Sequence, residues 1–390
     1  MRKIRTYNAI SAKGLNRFPR ETYEVASEIN HPDAILLRSH KLHDEVLPES
    51  VVAVARAGAG VNNVPVEDYT KKGVVVFNTP GANANAVKEL VLAGLLLGSR
   101  DIIGGISFAN AQTEEKDNAV LAKLMEKSKK QFAGGEIQGK TLGVVGLGAI
   151  GSMVANMALS LGMNVIGYDP ALSVDAAWRL SSDVKKAENL QSLLANSDFI
   201  TLHVPAIDAT RHLLNNETFA SLKKGATLLN FAREEIVDTD AAIGALDAGQ
   251  MKAYISDFPC AELIGRDDVI LMPHIGASTA EAEENCAVMA ANQLMDFLEN
   301  GNITNSVNFP QIYMERSSGH RITLSNENVP KVLGHVLSVL ADNNINVIDM
   351  LNKSRNDIAY NIIDVEQAPS DDVIEAIRNV ESVISIRVLS

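Results

Sequence analysis

The sequence predicts an α/β chain: two helix-covered parallel sheets followed by a smaller C-terminal unit. Three observations predict it. Short apolar runs alternate with helical stretches over residues 1–98, as βα repeats of a parallel sheet do. Six more such runs lie between Thr141 and Met272, the first leading into a G-x-G-x-x-G turn. Beyond Arg321 the order becomes strand–helix–strand–strand–helix–strand, the ferredoxin-like pattern.

In the first part the apolar runs are 34–37, 51–55 and 73–77. Basic residues collect directly after two of them: Arg38-Ser39-His40-Lys41, then Arg56 in Arg56-Ala57-Gly58-Ala59-Gly60. Open parallel sheets bind ligands at the carboxyl ends of their strands, so both loops are candidate anion sites. The plain alternative is a solvated loop. Residues 83–99 form a long apolar helix, suited to crossing between domains or lining a subunit interface. Residues 101–140 are more polar and helical, ending at Gly134-Gly135.

The second part is organised around residues 141–161, TLGVVGLGAIGSMVANMALSL. A buried strand, 142–145, runs into Gly146, Gly148 and Gly151 and then a helix. The glycines allow the tight turn, the approach of a pyrophosphate and close helix–strand packing, in that order. The helix N-terminus offers free N–H groups to phosphates. A second strand, 164–168, ends at Asp169, roughly 20 residues on, where a carboxylate takes ribose hydroxyls. No basic residue follows until Arg179, so NAD is expected over NADP. Four more strands end in polar groups: 199–202 at His203-Val204-Pro205, 226–231 at Ala232-Arg233, 253–256 at Asp257, and 269–272 at Pro273-His274. Six strands complete a doubly wound dinucleotide fold.

A helix over 279–298 follows, then residues 300–318, rich in Gly, Pro, Asn and Ser, which read as a linker. The C-terminal strands are 321–324, 347–352, 358–364 and 383–388, with helices at 329–341 and 370–380.

Composition excludes several function classes. At 390 residues the chain exceeds one hydrophobic core, and 46% hydrophobic with 21% charged residues is a globular profile. A net charge of −13 argues against bulk nucleic-acid binding; an anionic substrate must be drawn by local Arg and Lys. No apolar run spans a bilayer, and MRKIRTYNAI lacks the apolar core of a signal peptide, so a cytoplasmic protein with no membrane partner is expected. Cys260 and Cys286 are the only cysteines; no disulfide framework and no metal site are expected.

Arg233, Glu262 and His274 form a chemical set. Oxidising a 2-hydroxy acid calls for a cation on the carboxylate, a general base, and a carboxylate that orients the base and supports its charged form. Singly, each has an ordinary reading: surface cation, loop acid, hydrogen-bonded strand-end histidine.

RAGAGVNN at 56–63, NTP at 78–80, GLGAIG, NFAR at 230–233 and PHIGAST at 273–279 together resemble the D-isomer-specific 2-hydroxyacid dehydrogenases over nearly the whole chain. SNENVPKVL at 325–333 and NNINVIDM at 343–350 resemble an ACT domain. The resemblance implies a discontinuous flavodoxin-like substrate domain, 1–98 and 275–305, a Rossmann NAD domain, 99–274, a linker, 306–318, and an ACT regulatory domain, 319–390. It implies Arg233, Glu262 and His274 in catalysis. Cofactor contacts are implied from Thr79, Gly146, Gly148, Ala149, Ile150, Gly151, Asp169, His203, Val204, Pro205, Phe231, Ala232, Arg233, Asp257, His274, Gly276 and Ala277. Substrate contacts are implied from Arg38, Ser39, Arg56, Gly58, Arg233 and His274, with Lys41 beside them. The implied substrate is a small phosphorylated 2-hydroxy acid and the implied assembly a homodimer or homotetramer. An unphosphorylated D-2-hydroxy acid is the alternative, and a non-catalytic NAD-sensing corepressor the rival of another class.

The chain departs from the family where Glu234-Glu235 replaces a small pair and Asp257-Phe258-Pro259 replaces Asp-Val-Phe. In the ACT domain Pro330-Lys331 replaces Pro-Gly, and Asn326 replaces a histidine. That domain is expected to keep an edge strand and one open sheet face, and two copies to pair around L-serine through Asn326, Asn328 and Asn346. The alternative is a pair serving assembly alone.

Overall fold

The structure is a computed structural model describing residues 1–317 and 319–389. Ser318 and Ser390, the ends of the expected linker and C-terminal domain, lie outside the described residues. The chain forms two compact units, 1–83 with 280–390, and 84–279.

The first unit opens with five parallel strands: β1 (Arg2–Thr6), β2 (Tyr23–Ala26), β3 (Ala34–Leu37), β4 (Ala53–Arg56) and β5 (Val75–Phe77). Their order is β2-β1-β3-β4-β5, the flavodoxin-like winding, which reverses between β1 and β3. The sequence pattern missed β1 and β2: in RKIRT only Ile4 is buried, so the strand carries no apolar run. Helix Ala280–Asn300 lays Ala290, Ala291, Leu294 and Phe297 into this unit's main core.

The second unit holds seven parallel strands: β6 (Thr141–Val145), β7 (Asn164–Tyr168), β8 (Lys185–Lys186), β9 (Phe199–Leu202), β10 (Ala226–Asn230), β11 (Met251–Ser256) and β12 (Val269–Leu271). The order β12-β11-β10-β9-β6-β7-β8 is doubly wound, reversing between β6 and β9. Six strands match those expected; β8 is an added two-residue edge. Helix Ala84–Ser99 belongs here rather than with residues 1–83. Val87, Val91 and Leu95 enter this unit's core, and Gly94 brings the helix against Leu229 and Phe231. Among the described residues no single helix is long and apolar enough to cross a membrane.

The C-terminal sheet, part of the first unit, contains β13 (His320–Glu327), β14 (Val347–Arg355), β15 (Ile358–Val365) and β16 (Val383–Leu389). They are antiparallel in the order β14-β15-β13-β16. One face holds Ile322, Leu324 and Ile363 under helices Val332–Asp342 and Asp371–Arg378. The other face is not open, as the sequence suggested. Tyr360 and Ile362 join Phe77, Phe297, Phe309 and Ile312 in the first unit's main core, with Phe309 edge-on to Tyr360 at 6.1 Å. On the same face the Arg321 guanidinium is fully buried, paired with Asp364 at 2.7 Å. Its other N–H groups reach the carbonyls of Asn300, Met314 and Glu315 at 2.7–2.9 Å. Every donor of the buried cation thus has an acceptor, which offsets its desolvation.

Candidate active site

At the end of β6 the chain must reverse into helix Ala149–Ser160 within three residues. Gly146 does so at φ +88°, in the left-handed region where a side chain is strained. A Cβ on Gly151 would collide with the Gly146 carbonyl. Gly148 differs: nothing lies within 4 Å of where its Cβ would stand, and the helix starts there without a side-chain cap. Ala149 and Ile150 begin the helix, so unfilled space meets first-turn N–H groups. That arrangement fits the pyrophosphate of NAD.

Asp169, at the end of β7, accepts hydrogen bonds from the N–H groups of Leu147 and Ala171, both 2.9 Å. One carboxylate therefore steadies the glycine turn and stands where ribose hydroxyls are expected. It lines a cavity of about 330 Å³ that Lys185 and Lys186 also line. The sequence had suggested no cation before Arg179 near this site; β8 pairs with β7 and supplies two. After β9, His203 lies with Nε2 2.9 Å from Thr201 Oγ1, while its Nδ1 has no partner among the described residues. Burial pulls its pKa down to about 3, so the ring is neutral at physiological pH. Val204 and Pro205 follow, the proline exposed.

Three neighbouring strand ends carry the chemical set. Beyond β10, buried Asn230 accepts from the Ala232 N–H at 3.2 Å and donates to the Arg233 carbonyl at 2.9 Å. This staple leaves Arg233 extended and its side chain exposed. Beyond β11, Asp257 is only 2% exposed, and its two carboxylate oxygens accept the N–H groups of Ile275 and Gly276, each at 2.7 Å. Its carbonyl accepts the His274 N–H at 3.0 Å. The loop beyond β12 is thereby fixed, with His274 at φ +55° and its exposed ring edge-on to Phe258 at 5.0 Å. Ala277 lies just past the clamp, partly exposed.

Glu262 sits exposed on the turn Ala261–Leu263. Among the described residues no hydrogen bond or ion pair joins it to His274. Its carboxylate neighbours the Cys260 thiol, whose pKa burial, foremost, and Glu262 both raise. Phe231 and Ala232 are buried, so only their backbone can meet a ligand. Thr79, in the other unit, is fully buried with its hydroxyl near Cys286.

In the first unit the loops after β3 and β4 are cross-braced. Arg56 Nε donates to the Arg38 carbonyl at 3.0 Å, and a terminal nitrogen to Asn62 at 3.3 Å. Gly58 and Gly60 flank the guanidinium. The Arg38 guanidinium pairs with Glu283 at 2.7 Å, so its charge is already engaged. Two clamps were not anticipated. Asn8, after β1, accepts the N–H groups of Ser39 and His40 at 3.0 and 2.7 Å, and buried Asn63 donates to the carbonyls of Arg38 and His40. Lys41 is exposed.

Residues 104–276 match the model of the D-isomer specific 2-hydroxyacid dehydrogenase NAD-binding domain, and residues 320–382 that of the ACT domain. A Haemophilus influenzae D-3-phosphoglycerate dehydrogenase is 33% identical over 87% of this chain and 81% of its own. The chain belongs to the D-isomer specific 2-hydroxyacid dehydrogenases. A D-3-phosphoglycerate dehydrogenase from Methanocaldococcus jannaschii is also 33% identical over 84% of this chain, which spans 61% of its length. Among solved structures, an NAD⁺-bound 3-phosphoglycerate dehydrogenase of Entamoeba histolytica superposes with a TM-score of 0.60. It is 26% identical and covers 79% of this chain and 98% of its own. The segment that matches the NAD-binding domain model carries Arg233, Asp257 and His274.

Proposed function

We propose that this dehydrogenase oxidises D-3-phosphoglycerate to 3-phosphohydroxypyruvate with NAD, the first step of phosphorylated L-serine biosynthesis, in the cytoplasm. The observation that carries the reading is His274, presented by a loop that buried Asp257 locks, two strand ends from Arg233 in an NAD-binding sheet. The names of the relatives support the substrate. Bound NAD supplies the hydride acceptor. Arg233 holds the substrate carboxylate, and His274 takes the proton from the C2 hydroxyl. Glu262, exposed on its turn, swings from Cys260 to orient the imidazole and support its charge. Arg56, held between the loops after β3 and β4, meets the phosphate.

His274→Ala is expected to lower kcat on the order of 10²–10⁴-fold, the range for a lost acid–base group, with NAD affinity little changed. Near-normal turnover in that variant would sink the assignment. A second reading, an unphosphorylated D-2-hydroxy acid, is favoured by one observation: Arg38 is spent on Glu283. Comparing kcat/KM for phosphoglycerate with that for glycerate and lactate separates the two.

The same proposal includes a homodimer or homotetramer inhibited by L-serine. Asn346 precedes β14 at the end where His320 lies, while Asn328 follows the opposite end of β13. A ligand that meets both therefore needs two copies, paired along the exposed strand β14. Asn326 is not available to it, being buried and bonded to Asn361 at 2.8 Å. Loss of serine inhibition in Asn346→Ala is the expected result; unchanged activity with serine in the unaltered enzyme would leave the pair as an assembly contact.

A further inference from the structure

Glu283, in the first turn of helix Ala280–Asn300, holds the Arg38 guanidinium at 2.7 Å. Both side chains are nearly half exposed, but both backbones are fixed. The Arg38 carbonyl accepts Arg56 Nε at 3.0 Å and the Asn63 amide at 3.2 Å. One turn beyond Glu283, Cys286 and Ala287 are buried in the first unit. Burial, foremost, raises the pKa of the Cys286 thiol, and Arg38, Arg56 and Glu283 all act on it. Two guanidinium groups and one carboxylate thus gather around a single buried side chain.

We infer that Glu283 is a specificity-determining residue, competing with the substrate's distal anion for Arg38. The inference deepens the reading of these loops as the phosphate site, on which it rests. Arg38 offers one planar fork, which a carboxylate or a phosphate fills in the same way. An acid with a distal phosphate must take Arg38 from Glu283 and then lie beside the released carboxylate. The phosphate, with about two negative charges at neutral pH, can win that exchange but forfeits part of the gain. An acid that ends in a hydroxyl never enters the exchange. Glu283 therefore narrows the preference for phosphorylated over unphosphorylated acids.

The exchange moves two side chains and leaves the loops in place. Breaking a half-exposed ion pair costs up to about fivefold in an equilibrium, and repulsion between phosphate and carboxylate adds to it. The neighbouring Glu284 carries the same charge but pairs with Lys13 instead. It is therefore a built-in control: the same helix turn and the same charge, without Arg38.

The test is steady-state kinetics of the full-length enzyme at saturating NAD. Glu283→Gln is expected to lower KM for phosphoglycerate about two- to tenfold, with kcat and the KM for glycerate little changed. Glu284→Gln leaves both KM values alone, and in an Arg38→Ala background Glu283→Gln gives no gain. A substitution that merely disturbed the helix would move both substrates together. Four results overturn the inference: an unchanged or higher KM for phosphoglycerate, an equal fall for glycerate, an equal gain from Glu284→Gln, or a gain that survives Arg38→Ala. If phosphoglycerate is not oxidised at all, the substrate reading fails by itself. Competition for Arg38 is then read from inhibition of glycerate turnover by inorganic phosphate. Glu283→Gln must strengthen that inhibition, and unaltered inhibition overturns the inference.

Discussion

Lys331 stands at φ +78° just before helix Val332–Asp342, a conformation that costs a residue with a Cβ about 1–2 kcal/mol. Lys331→Gly removes that strain and gives back part of it as chain entropy in the unfolded state. A net gain of about 0.5–1 kcal/mol is expected from chemical denaturation. Asp364 shows the opposite economy. Burial alone would raise its pKa, but hydrogen bonds from Arg321 and Ser317 outweigh it and hold the carboxyl below its ordinary value. Its share of stability is complete above the unfolded carboxyl pKa of about 3.9 and disappears as pH falls through the lower folded value. Asp364→Asn leaves Arg321 buried without its counter-charge and is expected to cost about 3–5 kcal/mol. It should also flatten the acid limb of a stability–pH curve; a curve of unchanged shape would exclude Asp364 as its source.

Among the elements, the glycine turn makes the sharpest prediction, because two of its glycines serve different ends. Gly148→Ala fills empty space at an ordinary φ, so it should fold with unchanged stability yet bind NAD far more weakly. Gly151→Ala meets the Gly146 carbonyl and should lose stability as well as NAD. Thermal melts with and without NAD distinguish them. This turn was legible in the sequence because its requirements are local: glycine where φ or space forbids a side chain, apolar runs on either side. The same holds for β9, whose four residues are all buried. Strand β1 was hidden because its neighbours rather than its own apolar content make it a strand, and β8 because two lysines carry no pattern. Asn8 and Glu283 escaped notice for another reason. Their partners, Ser39 and Arg38, lie far off in the chain, and no local rule encodes such pairings.

For the whole molecule, the shared core beneath the C-terminal sheet makes residues 319–389 and the first sheet one cooperative body. Deleting the chain beyond Arg316 exposes Phe297 and Phe309 and leaves the Asn300 and Met314 carbonyls without Arg321. Calorimetry of the intact protein should show no separate transition for the C-terminal domain, and the truncated chain should aggregate; a soluble truncation of equal Tm would refute the shared core. The placement of Asn328 and Asn346 carries a further consequence. They stand at opposite ends of strands eight and nine residues long, a span of about 25 Å at strand rise, which no free amino acid bridges. A response read by both residues therefore belongs to the pair and vanishes on dilution to single subunits, however much serine is present. A response housed in one chain is indifferent to dilution. Activity measured with and without serine across a thousandfold range of enzyme concentration would thus tell a response of the pair from one housed in a single chain.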